Sequence, residues 1–171
     1  MKGYVQVYTG NGKGKTTAAF GLVLRAVGAG LRVFIGQFVK HSKYSEIKAV
    51  EKLGDAVTLR QYGRGDFLNR KPDDADMRAA REGLKEIREI MLSGRYDIII
   101  LDEANIATYY QLFSVEELLD FIEAKPDHVE LVLTGREADP RVIAAADLVT
   151  EMVEVKHYYR QGVEARVGIE K

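Results

Sequence analysis

Cysteine is absent from this 171-residue chain. That excludes a disulfide, a thiolate metal site and a thiol nucleophile. Charge of one sign is also lacking: 25 Lys and Arg against 26 Asp and Glu leave a net charge of −1. A protein without an overall basic field has no electrostatic footprint for nonspecific nucleic-acid binding. No apolar run approaches membrane-spanning length. Met1-Lys2-Gly3 passes at once into a strand pattern, which leaves no room for a signal peptide. The expectation is a cytoplasmic protein with neither a nucleic-acid nor a membrane partner. The three histidines, His41, His128 and His157, lie far apart without metal-ligand spacing. Nothing beside them reads as a nucleophile, so a histidine-based triad has little support.

What is present fits one globular unit. Hydrophobic residues make up 46% and charged residues 30% of the chain, the balance of a folded domain. The length suits a single domain over residues 1–171 with a sizeable core. Short apolar runs alternate with amphipathic stretches, the signature of a parallel sheet with covering helices. Strands are expected at Tyr4–Tyr8, Arg32–Phe38, Val57–Gln61, Asp97–Leu101, Val129–Leu133 and Leu148–Val155. Ile98–Leu101 is continuously apolar, as a central strand buried on both faces should be. Pro72-Asp73-Asp74 opens a helix that carries Ala80, Leu84, Ile87 and Met91 on one face and stops at Ser93-Gly94. Ser114 with Glu117 forms a capping box ahead of Leu118, Leu119 and Ile122. Asp139-Pro140 supplies a cap and a proline at the first helical position. The fold class is therefore α/β, three layers, with a mostly parallel sheet and helices on both faces. His41–Ser45 and Gly63–Lys71 resist assignment and read as loops at the ligand-bearing carboxyl edge.

The strongest chemical signal is Gly10-Asn11-Gly12-Lys13-Gly14-Lys15-Thr16-Thr17, which follows the first strand and opens the buried-looking helix Ala18–Leu24. Glycines let backbone N–H groups converge on an oligophosphate, Lys15 reaches its charge, and Thr16 offers a hydroxyl to Mg²⁺. The helix dipole points its positive end at the same anion. Thr9 stands where the common G-x-x-x-x-G-K-[ST] pattern has its first glycine, and Lys13 adds a second cation. Asp102-Glu103 ends the central strand and supplies carboxylates for a divalent ion bridging Thr16 and the phosphates; which of the two touches it stays open. Arg136, in Thr134-Gly135-Arg136 after another strand, can pair with the triphosphate or with Glu137 or Asp139 nearby. The cationic aromatic tail Lys156–Arg160 reads as a solvated terminus.

Several segments, taken in order and spacing, closely resemble the ATP:corrinoid adenosyltransferases of the phosphate-loop type. They are the glycine loop, Gln37-Phe38, Leu101-Asp102-Glu103-Ala104-Asn105, Val132–Arg136, Ala146–Met152, Lys156-His157 and the terminal Gly168-Ile169-Glu170. The resemblance spans nearly the whole chain. It implies transfer of the 5′-deoxyadenosyl group of ATP to the Co(I) of a reduced corrinoid, with release of triphosphate. It also implies Mg²⁺ or Mn²⁺ as cofactor, a flavoprotein that reduces Co(II), a homodimer, and a role in cobalamin biosynthesis or salvage. Co(I) is itself a strong nucleophile, so the protein needs no general base. Lys13, Lys15 and Arg136 would neutralise the departing triphosphate. The ribose, not the γ-phosphate, must face the acceptor, so the triphosphate is expected to lie in the loop unlike that of a kinase. Phe67 and Asn105 are the candidates for the corrin or ribose side. Five departures bear on the corrin contacts. Lys40 is followed by His41, Ser45-Glu46 replaces a Gly-Glu pair, and the corrin-side segment reads Gly63-Arg64-Gly65-Asp66-Phe67-Leu68 with no tryptophan in the chain. Tyr158 stands in place of a proline, and the amino-terminal extension of longer members is missing. The competing readings are a phosphate-loop ATPase, a small-molecule kinase and a non-catalytic corrinoid- and ATP-binding protein.

Overall fold

The computed structural model describes residues 2–39, 45–64 and 71–170. Six strands form one sheet: β1 (Val5–Thr9), β2 (Val33–Gln37), β3 (Val57–Gln61), β4 (Ile98–Asp102), β5 (Glu130–Thr134) and β6 (Leu148–Glu151). The order across the sheet is β3-β2-β4-β5-β1-β6, and every neighbouring pair is parallel. The mostly parallel sheet expected from the pattern is thus parallel throughout.

Strand alternation divides the core into two layers. Phe34, Ile99, Leu101, Leu131 and Leu133 face a large cluster roofed by α3 (Asp74–Leu92), α4 (Ala104–Tyr109), α5 (Val115–Glu123) and α6 (Pro140–Ala145). Val33, Ile35, Ile98, Ile100 and Val132 face a smaller cluster under α1 (Lys15–Gly28) and α2 (Ser45–Glu51). The helix α1 is covered on one side only. Ala19, Val23 and Ala26 are buried, whereas Leu24 is 64% exposed, so its apolar run is not that of a fully buried helix.

Local signals explain the helix boundaries. Asp73 accepts from the backbone of Ala75 and Asp76 while Asp76 returns a bond to Asp73, so α3 starts on a complete capping box. The Ser114–Glu117 box forms at α5 and the Asp139 cap with Pro140 at α6. Two short helices lie where no pattern announced them: α2, which starts at Ser45 where the stretch read as loop ends, and α4, directly after Glu103. The last strand stops at Glu151 rather than Val155, because Met152 turns beneath the glycine loop.

Candidate active site at the carboxyl edge

Each of the six strands ends on a polar residue: Thr9, Gln37, Gln61, Asp102, Thr134 and Glu151. In a parallel sheet these ends share one edge, where open α/β folds bind ligands. Here β1 sits between β5 and β6, and the chain leaves it across the sheet to β2. By the rule for open α/β sheets, that reversal places the ligand site at the carboxyl end of β1, from which the glycine loop springs.

The loop is shaped by close backbone contact. Gly10 and Gly14 have φ of 91° and 128°, which side chains strongly disfavour. A Cβ on Gly12 would meet the Met152 carbonyl oxygen at 2.7 Å, and the Gly12 N–H already donates to that oxygen at 2.6 Å. Lys15 is buried, with Nζ donating to the carbonyls of Gly10 at 2.7 Å and Gly12 at 2.8 Å. Its ammonium is thereby stored inside the loop that would cradle phosphate. Asn11 and Thr17 are exposed on the loop and at the first turn of α1.

Asp102 is the hub of the site and is fully buried. Its Oδ1 accepts from the hydroxyls of Thr16 at 2.9 Å and Thr134 at 2.7 Å. Its Oδ2 accepts from the Gln37 side-chain amide at 3.0 Å, and Gln37 accepts in turn from Gln61 at 3.1 Å. A row of polar side chains therefore crosses four strands, β3 to β5, and ends on the helix that carries Thr16. Buried charge requires such satisfaction. The sequence pattern singles out Asp102 and Thr16; it misses Thr134 and Gln37 as partners of Asp102, and Gln61 behind Gln37. The signal was there: a polar residue closing an apolar strand.

Glu103 has φ of 61° at the cap of α4, and its N–H donates to the Thr134 hydroxyl at 3.1 Å. Its side chain is half-buried. For a divalent ion Asp102 would fit the outer shell better than direct ligation, because it is fully buried and its Oδ1 already accepts two hydroxyls. Thr16 Oγ1, phosphate oxygens and waters would complete the hard-oxygen sphere such an ion prefers. Among the described residues, no cluster of three or more His, Cys, Asp or Glu is placed to hold a metal ion alone.

The other candidates fall in different surroundings. Arg136 is exposed just past β5, where the Gly135 N–H donates to the Tyr8 carbonyl at 3.2 Å and so keeps the turn beside the glycine loop. Asp139 pairs with Arg141 at 3.1 Å and not with Arg136. The Glu154 carboxyl is held below its usual range chiefly by its hydrogen bond from Arg160, with Arg136 among the lesser charges acting on it. Asn105 is fully buried, its amide donating to the Gly135 carbonyl at 3.1 Å. Its Oδ1 has no partner among the described residues. It lies under the Thr134–Arg136 turn rather than on an open surface. Phe67, like Lys40 and His41, lies outside the described residues. In the stretch Lys156–Arg160, read as solvated, Lys156, Tyr159 and Arg160 are exposed; farther on, Lys13 Nζ donates to the Ile169 carbonyl at 2.8 Å and to Glu170 at 3.2 Å. A hollow of about 700 Å³ opens among α3, the end of α4 and the start of α6, lined in part by Met77, Arg81, Tyr109 and Glu137. None of its lining residues belongs to the glycine loop.

A parallel sheet, a glycine loop at the strand-order reversal and a buried aspartate bonded to the loop threonine together define a phosphate-loop nucleotide-binding protein. Comparison with known proteins narrows this class. The family model for ATP:corrinoid adenosyltransferase BtuR/CobO/CobP matches residues 1–170. A corrinoid adenosyltransferase of Sinorhizobium sp is 37% identical over 99% of this chain and 80% of its own length. One from Pseudomonas aeruginosa is 34% identical, covering 99% and 84%. The corrinoid adenosyltransferase CobA of Salmonella typhimurium is 34% identical, covering 99% and 86%. The chain belongs to the ATP:corrinoid adenosyltransferase family.

Proposed function

We propose that this chain transfers the 5′-deoxyadenosyl group of ATP to the Co(I) of a reduced corrinoid and releases triphosphate. In that step the cobalt electron pair forms the bond to C5′, the C5′–O bond breaks, and triphosphate departs with its electrons. No proton needs to be removed, so the protein's task is to position and to neutralise charge. Backbone N–H groups from Gly10 to Thr17 hold the triphosphate. Lys15 leaves the carbonyls of Gly10 and Gly12 for phosphate oxygens, and Lys13 and Arg136 add positive charge at the rim. The observation that carries this assignment is the 2.9 Å bond from the Thr16 hydroxyl to the buried Asp102 carboxylate. It fixes the hydroxyl beside the loop, where phosphate and a divalent ion would meet. Mg²⁺ or Mn²⁺ would supply neutralising charge to the leaving triphosphate. Thr16 would be its direct ligand, Asp102 would act through water, and Glu103 would be the second carboxylate at hand.

The ribose faces outward, so the γ-phosphate is not presented as in a kinase. A nucleotide-bound structure with an outward γ-phosphate and a buried C5′ would overturn this orientation. The working form is a homodimer supplied with Co(I) by a flavoprotein reductase, in the cytoplasm. The test mixes protein, Mg²⁺, ATP and chemically reduced cobalamin, and follows the corrin spectrum together with the phosphate product. Adenosylcobalamin with triphosphate is expected. ADP with phosphate would assign an ATPase instead, a phosphorylated acceptor a kinase, and corrinoid binding without product a delivery protein. Lys15→Ala should lose ATP binding and turnover together; retained activity would remove the loop from the mechanism.

A further inference from the structure

The segment after β6 touches the glycine loop twice. It leaves at Met152, whose carbonyl takes the Gly12 N–H at 2.6 Å. It returns at Ile169 and Glu170, which take two donors of the Lys13 ammonium at 2.8 and 3.2 Å. Between these points the chain folds on itself through Glu170. That carboxylate accepts from the Arg166 backbone N–H at 2.9 Å, from the Arg166 guanidinium at 3.1 Å and from the Tyr158 hydroxyl. Arg166 also lies over the Tyr158 ring, 5.1 Å from its centroid. The Glu170 side chain is only 15% exposed, whereas that of Lys13 is 40% exposed. A well-anchored carboxylate therefore grips a lysine that would otherwise move freely. Arg166 and Tyr158 hold the Glu170 carboxyl far below the usual carboxylate range, so it stays charged at any working pH.

We propose that Glu170 is a positioning residue that acts through Lys13, the C-terminal segment serving as a strut that holds the loop's second cation ready for triphosphate. This rests on the reading that Lys13 meets the triphosphate. An ammonium has three donors, and the tail engages two of them, leaving one for a phosphate oxygen. A flexible lysine must surrender rotamer freedom when it binds, and the strut removes part of that loss in advance. Simple electrostatics predicts the opposite sign. A carboxylate close to an anion site repels the anion, so removing Glu170 should tighten binding if neutralisation were its whole effect.

Inorganic tripolyphosphate with Mg²⁺ is the probe, titrated calorimetrically into the full chain, Lys13→Ala, Glu170→Ala and the double variant, each checked for folding by circular dichroism. Glu170→Ala should weaken binding roughly two- to tenfold, the penalty of one newly mobile side chain. In the Lys13→Ala background the same change should have no further effect, because the strut has nothing left to hold. Unchanged or tighter binding in Glu170→Ala would overturn the proposal, as would an equal loss in both backgrounds. Unchanged binding in Lys13→Ala would instead overturn the role of Lys13, and the strut with it. Should Glu170→Ala not fold, Glu170→Gln goes through the same cycle with the same criteria.

Discussion

Thr134→Val tests whether the buried hub is organised as described. Thr134 is fully buried, and its hydroxyl donates to Asp102 Oδ1 at 2.7 Å while accepting the Glu103 N–H at 3.1 Å. Valine keeps the shape and removes both bonds. A hydrogen bond to a charged group contributes about 1.5–3 kcal/mol, and a stranded N–H costs about 1–3 kcal/mol. The Glu103 N–H is only partly buried, so the lower end applies to it. Asp102 keeps Thr16 and Gln37 and does not become an unpaired buried charge, which would cost about 3–5 kcal/mol. The added methyl regains about 0.8 kcal/mol at most. The net loss works out at about 2–3 kcal/mol, which a domain with a typical 5–15 kcal/mol of stability survives. Urea denaturation should show the midpoint falling by roughly 1 M at unchanged slope. Thr134→Ser retains both bonds and should lie much closer to the parent. A Thr134→Val variant within about 0.5 kcal/mol of the parent would refute the idea that this hydroxyl joins Asp102 to the start of α4.

Two further outcomes follow from local packing. Gly12→Ala forces a Cβ against the backbone of Met152 and Val153 at 2.7 and 2.9 Å and should cost about 1–3 kcal/mol, with nucleotide binding weakened. Gly21→Ala, in α1 with nothing within 4 Å, should stabilise by about 0.5–1 kcal/mol; thermal melts that rank the pair the other way would refute the loop contact. Tyr62 has a buried hydroxyl without a partner among the described residues, and burial, opposed by Arg60, pushes its pKa up to about 12 from 10.0. The unfolded chain therefore ionises first: the contribution is full below pH 10 and is lost as pH rises toward 12. Half-burial limits that loss to about 1 kcal/mol, and Tyr62→Phe should be neutral at pH 7 and escape it. Equal alkaline loss in parent and variant, read by denaturant titration at each pH, would contradict the burial argument.

The layered sheet was legible in the sequence because apolar runs report burial on both faces. The ends of strands were less so. Asp97–Leu101 was expected where Ile98–Asp102 forms, and Val129–Leu133 where Glu130–Thr134 forms. Hydrophobicity marks where a strand is buried, but the backbone ladder runs on through one more residue whatever its side chain. That extra residue is where Asp102 and Thr134 sit, so the position blurred by a hydrophobic pattern is the one that carries the chemistry. The short helices α2 and α4 escaped for another reason. At seven and six residues they are too brief for a 3.6-residue period to emerge, and α4 is set by Glu103 in a left-handed conformation. The contact of Ile169 and Glu170 with the glycine loop was not legible, because composition describes solvation and not return contacts. Lys13 and Glu170 are 157 positions apart, and no local window joins them.

The polar row also bears on which carboxylate would serve a divalent ion. An ionised Asp102 can only accept, so Gln37 must turn its NH₂ toward it and its carbonyl toward Gln61, as found at 3.0 and 3.1 Å. One negative charge at the end of β4 thus orients two amides across three strands. The arrangement needs both Asp102 oxygens, one for the two hydroxyls and one for Gln37. A metal ion bound directly to Oδ1, which already takes two hydroxyls, would displace a donor from a fully buried site and strand it. A water between Asp102 and the ion would leave the row intact. Glu103, half-buried and next in the chain, is the second carboxylate at this strand end. Burial favours a division of labour in which Asp102 would organise the strand ends while phosphates, Thr16 and water would coordinate a divalent ion.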